Sequence, residues 1–238
     1  MSRPPAALPV PPPAPATVSP AEAERRARRL EPLAIGSIAA FGVLFLAVRA
    51  RRTGPLDLVL TRLAQRVTPR PVERLLHGVS WPGFPPQSRL IPPALIAGWF
   101  AAGLPAEAAC QAAGWGSAIL SEAIKALVRR PRPIAPEVRV VVAPLAGTSF
   151  PSGHVLTYVG VYGTSAYLAA GRLRGGWRLL GLAPLALVVL VGPSRVQQGH
   201  HWPTDVAASY LLGSAWLAGV VALHRRLVGV EARGGDGA

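Results

Sequence analysis

Beyond a Pro-rich N-terminus, six apolar stretches of this chain, each fourteen residues or longer, carry no charge: 33–48, 90–106, 108–121, 155–171, 179–193 and 206–223. A helix that crosses a bilayer needs roughly 20 largely apolar residues, with a range of about 17 to 25. Any one of the shorter runs could be the core helix of a soluble protein. Six of them in 238 residues predict an all-α, polytopic membrane protein, a bundle of six transmembrane helices. Gly114, Gly116, Gly160, Gly163 and Gly213 lie in those runs, where small residues let helix backbones approach closely.

The segment between the first two runs differs in character. Leu56, Val59, Leu60, Leu63 and Val67 recur at helical spacing, with Arg62 and Arg66 off that stripe. The pattern predicts an amphipathic helix lying at the membrane interface; the alternative is a helix packed over the bundle. Residues 1–29 read as a Pro-rich and then basic tail without a fold of its own. Residues 30–226 read as the membrane domain and 227–238 as a flexible C-terminal tail. The order of the N-terminal segments is that of a tail leading into a retained helix rather than a secretory signal. The single cysteine, Cys110, excludes an internal disulfide and a four-cysteine metal site. A net charge of +14 invites a nucleic-acid reading. The arginines flank apolar runs instead of interleaving with aromatics, so the expected partner is the bilayer and not nucleic acid.

Three polar clusters interrupt this pattern, and six spans would put all of them on one face. The first, "KALVRRPRP", holds Lys125, Arg129, Arg130 and Arg132; the second, "TSFPSGH", holds Ser152, Gly153 and His154. The third, "SRVQQGHHWPTD", holds Ser194, Arg195, His200, His201 and Asp205. Ionisable groups beside bilayer helices are costly unless they are paired or used, so a functional site is expected here. Fixed Lys and Arg without an excess of carboxylates suit a phosphate or another oxyanion. Gly153 at a helix start lets backbone N–H groups approach an anion. His201 and Asp205 are four apart, a spacing at which the carboxylate can accept a proton from one ring nitrogen and leave the other nucleophilic. His154 is a candidate general acid and base. Blander readings remain for single residues. Arg129, Arg130 and Arg139 suit membrane anchors, His77 and His224 suit structural roles, and Asp205 alone could cap a helix. His200 beside His201 does not suit a shared metal, and no carboxylate cluster supports one.

Lys125, six residues, then Arg132-Pro133; Pro151-Ser152-Gly153-His154; and Ser194-Arg195, five residues, His201, three residues, Asp205 together resemble the three-part signature of the type 2 phosphatidic acid phosphatase superfamily. The resemblance spans roughly residues 30 to 225 and departs from the signature nowhere. It implies that His201 attacks phosphorus to form a phosphohistidine, that Asp205 orients His201, and that His154 protonates the leaving oxygen and then activates water. Lys125, Arg132, Arg195, Ser152 and the Gly153 amide would hold the phosphate oxygens, with no metal and no cofactor. The implied activity is that of a membrane lipid phosphatase, a hydrolase of lipid metabolism. Its substrate would be phosphatidic acid, phosphatidylglycerol phosphate or a polyprenyl diphosphate. Two rivals stay open: a non-catalytic lipid-binding or transport protein, and a vanadate-dependent haloperoxidase, against which the apolar runs count. With Lys125, Arg132 and Arg195 assigned to phosphate, the basic residues divide evenly between the two faces. The Arg25–Arg29 cluster then predicts cytoplasmic termini and a site on the extracytoplasmic face of the cell membrane.

Overall fold

Proline, glycine and charge punctuate the chain into helices. The computed structural model describes residues 30–141, 146–172 and 181–235, with only the backbone described for 172, 182 and 229–235. The expected N-terminal tail lies outside them. Every regular element among the described residues is helical.

Helix α1 (Leu30–Arg49) carries Glu31 in its first turn and Arg49 in its last, each at the helix end whose dipole favours its charge. Helices α2 (Gly54–Val67), α3 (Arg70–Ser80) and α5 (Pro105–Trp115) each carry a proline in the first turn, where the missing N–H costs nothing. Between α3 and α5 lie a short 3-10 turn, Trp81–Gly83, and α4 (Gln87–Ala101). Helix α6 (Ser117–Val128) follows α5 at once. A single helical rod then changes winding: α7 (Gly153–Tyr158), a π-helical turn (Val159–Gly163) and α8 (Thr164–Arg172). Helices α9 (Leu182–Gln197) and α10 (Pro203–Gly235) complete the chain.

The apolar runs do not map one to one onto helices. Run 90–106 is cut by Gly103, at φ +72°, and Pro105 opens the next helix. Run 108–121 is divided at Gly116 between α5 and α6. Hydropathy registers the absence of charge but not these backbone breaks. Among the described residues, α1 and the stretch Pro203–Val228 of α10 are long and apolar enough to cross a membrane, and Ala183–Gln197 is a shorter apolar helix. The last helix runs on to Gly235.

Helix α1 packs along α10, α4 against α5, and α3 against α9. The principal core joins Val79 of α3, Val155 and Tyr158 of α7, Val161 and Tyr162 of the π turn, Val191 of α9 and Val206 of α10. A second cluster seats Phe150 against Phe41 and Phe45 of α1 and Ala208 of α10. Where α5 meets the π turn, a Cβ on Gly114 would lie 2.4 Å from the Gly160 carbonyl oxygen, and one on Gly160 would lie 2.2 Å from that of Gly114. Neither position has room for a side chain. The π turn also leaves the Val161 carbonyl open to Gln111 of α5, whose amide donates to it at 3.0 Å.

Helix α2 is amphipathic in an inverted sense. Leu56, Val59, Leu60, Leu63 and Val67 face outward, while Asp57 and Thr61 are completely buried. The stripe therefore does not pack over the bundle. The segment also contains α3, absent from the sequence expectation, which buries Leu76, Val79 and Ser80.

Candidate active site

Three chain segments, each at a helix end, meet around one cleft of about 320 Å³. Lys125 comes from the last turn of α6 and Arg132 from the strand-free stretch after it. Gly153 and His154 open α7, and His201 lies just before α10.

The segment that carries His201 depends on Gly199. At φ +68° it closes α9, its N–H donates to the Val196 carbonyl at 3.0 Å, and the His200 N–H donates to that of Arg195 at 3.0 Å. A Cβ on Gly199 would lie 2.2 Å from the Arg139 carbonyl oxygen. Replacing Gly199 with alanine adds left-handed strain of about 1–3 kcal/mol to a backbone collision. We expect a lower thermal unfolding midpoint in detergent together with a reduced turnover rate; unchanged values of both would refute this reading of the turn.

The ring of His201 is held in one tautomer. Its Nδ1 lies 2.7 Å from the Ser149 carbonyl oxygen, which can only accept, so Nδ1 carries the proton. Its Nε2 lies 3.2 Å from Nη1 of Arg132, which can only donate, so Nε2 presents its lone pair. Burial pushes this imidazole down to about 4, helped by Arg132 and Arg195 and opposed by Asp205. The ring is therefore neutral at ordinary pH, as a nucleophile must be.

Asp205 stands 3.8 Å from Nδ1, beyond hydrogen-bond reach. The direct bond expected from the i, i+4 spacing goes to Ser149 instead, and the Asp205 oxygens accept from other donors. Oδ2 accepts from the Trp202 N–H at 2.8 Å and Oδ1 from Arg130 at 2.6 Å. Asp205 is thus a fixed anion behind the ring. Arg130 is correspondingly no membrane anchor: its guanidinium spans Asp205 and, at 2.5 Å, the buried Asp57 of α2. Arg139 likewise pairs with Glu73 at 2.9 Å, whereas Arg129 is exposed.

His154 lines the cleft with its Nε2 buried and without a hydrogen-bond partner, its ring edge-on to Phe84 at 4.8 Å. Lys125 is paired to the exposed Glu122 at 2.7 Å, a solvent-screened contact that an incoming anion can replace. A Cβ on Gly153 would come 3.0 Å from the Lys125 ammonium, so this glycine admits the lysine to the cleft floor.

Two expected phosphate ligands sit differently. Ser194 and Arg195 belong to the last turns of α9, not to the loop, because the helix continues through Pro193. Arg195 is buried behind Phe84, 5.1 Å from its ring centre, and gives Nη2 to Ser80 and Gln198. Ser152 is fully buried; its N–H donates to Ser209 at 2.8 Å, and its hydroxyl has no partner. Lys125, Arg132, Gly153, His154 and His201 line the cleft, whereas Ser152 and Arg195 lie behind its wall. His200, next to His201, is buried with both ring nitrogens unpartnered, and burial pushes it down to about 3. His224 has a structural setting, 3.0 Å from the Tyr167 hydroxyl.

Residues 108–228 match the family model of the PAP2 superfamily. Decaprenylphosphoryl-5-phosphoribose phosphatases from two strains of Mycobacterium tuberculosis are each 41% identical to the chain over 91 residues, which make up 38% of this chain and 46% of the relative. The match thus spans about half the length of those relatives. The fold is similar to that of a transmembrane PAP2-type phosphatidylglycerolphosphate phosphatase from Bacillus subtilis, with a TM-score of 0.67 at 21% identity over 79% of this chain and 93% of that one.

Proposed function

The chain belongs to the PAP2 superfamily, and from that premise we propose that it is an integral-membrane lipid phosphatase working through a phosphohistidine. The observation that carries this reading is the His201 ring, buried and neutral, with Nδ1–H tied to Ser149 and the Nε2 lone pair beside Arg132 in the cleft. In the first step Nε2 bonds to phosphorus as the bond to the lipid oxygen breaks, and His154 supplies the proton that oxygen needs. In the second, His154 takes a proton from water, the new hydroxide oxygen bonds to phosphorus, and the P–N bond breaks to free phosphate and His201. Binding of the phosphate dianion beside His154 raises its proton affinity and favours the protonated ring that the first step needs. Lys125, Arg132 and the Gly153 amide hold the non-bridging oxygens, since phosphoryl transfer is mainly positioning and charge stabilisation. Arg195 and the Ser152 hydroxyl join this cradle if the cleft wall adjusts around the anion.

The membrane reading rests on two spanning-length apolar helices and on outward-facing Leu33, Ile35, Ile38, Val43 and Leu46 of α1. Six crossings, with α4, α5–α6 and α7–α8 among them, place the helix ends of the site at one membrane surface. The outward apolar face of α2 then rests in the interface. The termini are cytoplasmic and the site extracytoplasmic in this arrangement. The apolar part of the cleft wall, with Pro92, Trp115, Val161 and Tyr162, gives a lipid chain its way in. The names of the 41% identical relatives make a polyprenyl-linked phosphate the first substrate to test, ahead of phosphatidylglycerol phosphate and phosphatidic acid.

Phosphate release by the detergent-purified protein from these three lipids tests the proposal, each measured with EDTA and with added Mg²⁺. The cationic cradle predicts equal rates in both conditions. A rate that appears only with Mg²⁺ would overturn the cradle, and release from none of the lipids would overturn the lipid-phosphatase reading.

A further inference from the structure

The buried pair that Arg130 makes with two carboxylates lies outside the cleft and outside the residues that touch phosphate. Asp57 of α2 is 0% exposed, as is Asp205, and the Arg130 side chain is 11% exposed. Arg130 gives one nitrogen to each carboxylate, at 2.5 Å to Asp57 and 2.6 Å to Asp205, and adds Thr53 at 3.0 Å and Thr204 at 2.8 Å. Asp57 also receives the Thr204 N–H at 2.9 Å and the Thr204 hydroxyl at 2.8 Å. It thereby caps the first turn of α10, the helix that carries Asp205, from a helix about 150 residues away in the chain. Charges buried this completely persist only when paired and hydrogen-bonded on every side, and here every oxygen of both carboxylates has a donor.

We propose that Asp57 and Arg130 are positioning residues for the nucleophile: Arg130 clamps Asp205 at its fixed distance behind His201, and Asp57 holds both Arg130 and the start of α10 in place. The inference deepens the phosphatase reading and rests on it for the role of His201. The trio carries a net negative charge, two carboxylates against one guanidinium, and that charge faces the ring that becomes cationic during transfer. Other charged or titratable groups around His201 are Arg132, Arg195, His154 and His200, and these are unchanged when the trio is altered.

The trio's charge gives the test opposite signs at its two ends. Removing the anion with Asp57→Asn makes the field at His201 more positive and lowers its pKa below the wild-type value. Removing the cation with Arg130→Gln makes the field more negative and raises it. The full-length protein in detergent, labelled at histidine, reports the titration by NMR, with His201→Gln used to assign the ring. This readout needs no turnover, so it stands even if none of the lipid substrates is hydrolysed. With an active substrate, both variants should lose on the order of 10²-fold in kcat, a typical cost of a misplaced reacting group, while KM stays within about threefold because neither residue lines the cleft. Arg130→Lys, a point charge that cannot span both carboxylates, should recover part of kcat and should replace the Gln variant if that one fails to fold. The proposal is overturned if the His201 titration moves the same way in both variants or in neither. It is also overturned if kcat holds while KM rises tenfold or more, which would put Arg130 in the phosphate cradle.

Discussion

Replacing His201 with alanine is expected to lower phosphate release by on the order of 10⁵-fold or more while the protein still folds. Removal of a covalent nucleophile costs other enzymes losses of that size, and what survives comes from the remaining binding groups. The side chain makes no contact on which the helical packing depends. Its Nδ1 bonds a loop carbonyl and its Nε2 meets the guanidinium of Arg132, itself in a loop. Thermal unfolding in detergent should therefore change little, and a phosphate analogue should still bind through Lys125 and Arg132. Activity within tenfold of wild type would remove His201 as the attacking group. Trapping of a labelled phosphoryl group on the wild type and not on the variant would assign the intermediate to this ring.

The Asp205→Asn variant is expected to slow turnover by roughly 10⁴-fold, the loss seen when an amide replaces the carboxylate behind a catalytic histidine. The physical reason is specific to this site. Both oxygens of Asp205 accept hydrogen bonds, one from Arg130 and one from the Trp202 N–H. An amide keeps only one acceptor, so its NH₂ must face a donor on one side. It also withdraws the anion that stabilises a cationic His201. The predicted signature is a fall in kcat at nearly constant KM. A normal rate would reduce Asp205 to the helix cap that its position also permits.

The candidate site residues were legible because their chemistry and spacing are local: Lys125 and Arg132, Gly153 and His154, and His201 and Asp205 each sit within one short segment. What the sequence hid was pairing across distance. Arg130 reads as one more basic residue in "VRRPRP", and its two carboxylate partners lie about 75 residues away on either side. Asp57 did leave a trace, as an acidic residue set off the apolar stripe of α2. Which face of that helix points inward, however, depends on whether lipid or protein covers the stripe. Periodicity alone cannot decide this. The bond from Nδ1 to Ser149 was equally hidden, since a backbone carbonyl has no residue type to betray it. Apolar runs showed where helices would be sought and failed at Gly103 and Gly116, where backbone conformation rather than polarity ends them.

The π turn at Val159–Gly163 has a consequence for how one rod serves two neighbours. An α-helix advances about 100° per residue, so each residue taken up by a wider turn rotates everything beyond it relative to everything before. On one side of the turn, His154 must look into the cleft; on the other, Tyr167 must meet His224 of α10. The wide turn lets these two ends be clocked separately, with the Gly114–Gly160 contact acting as the pivot between them. A rod wound uniformly through the same residues could satisfy the cleft or the far packing face, but it would leave the other out of phase.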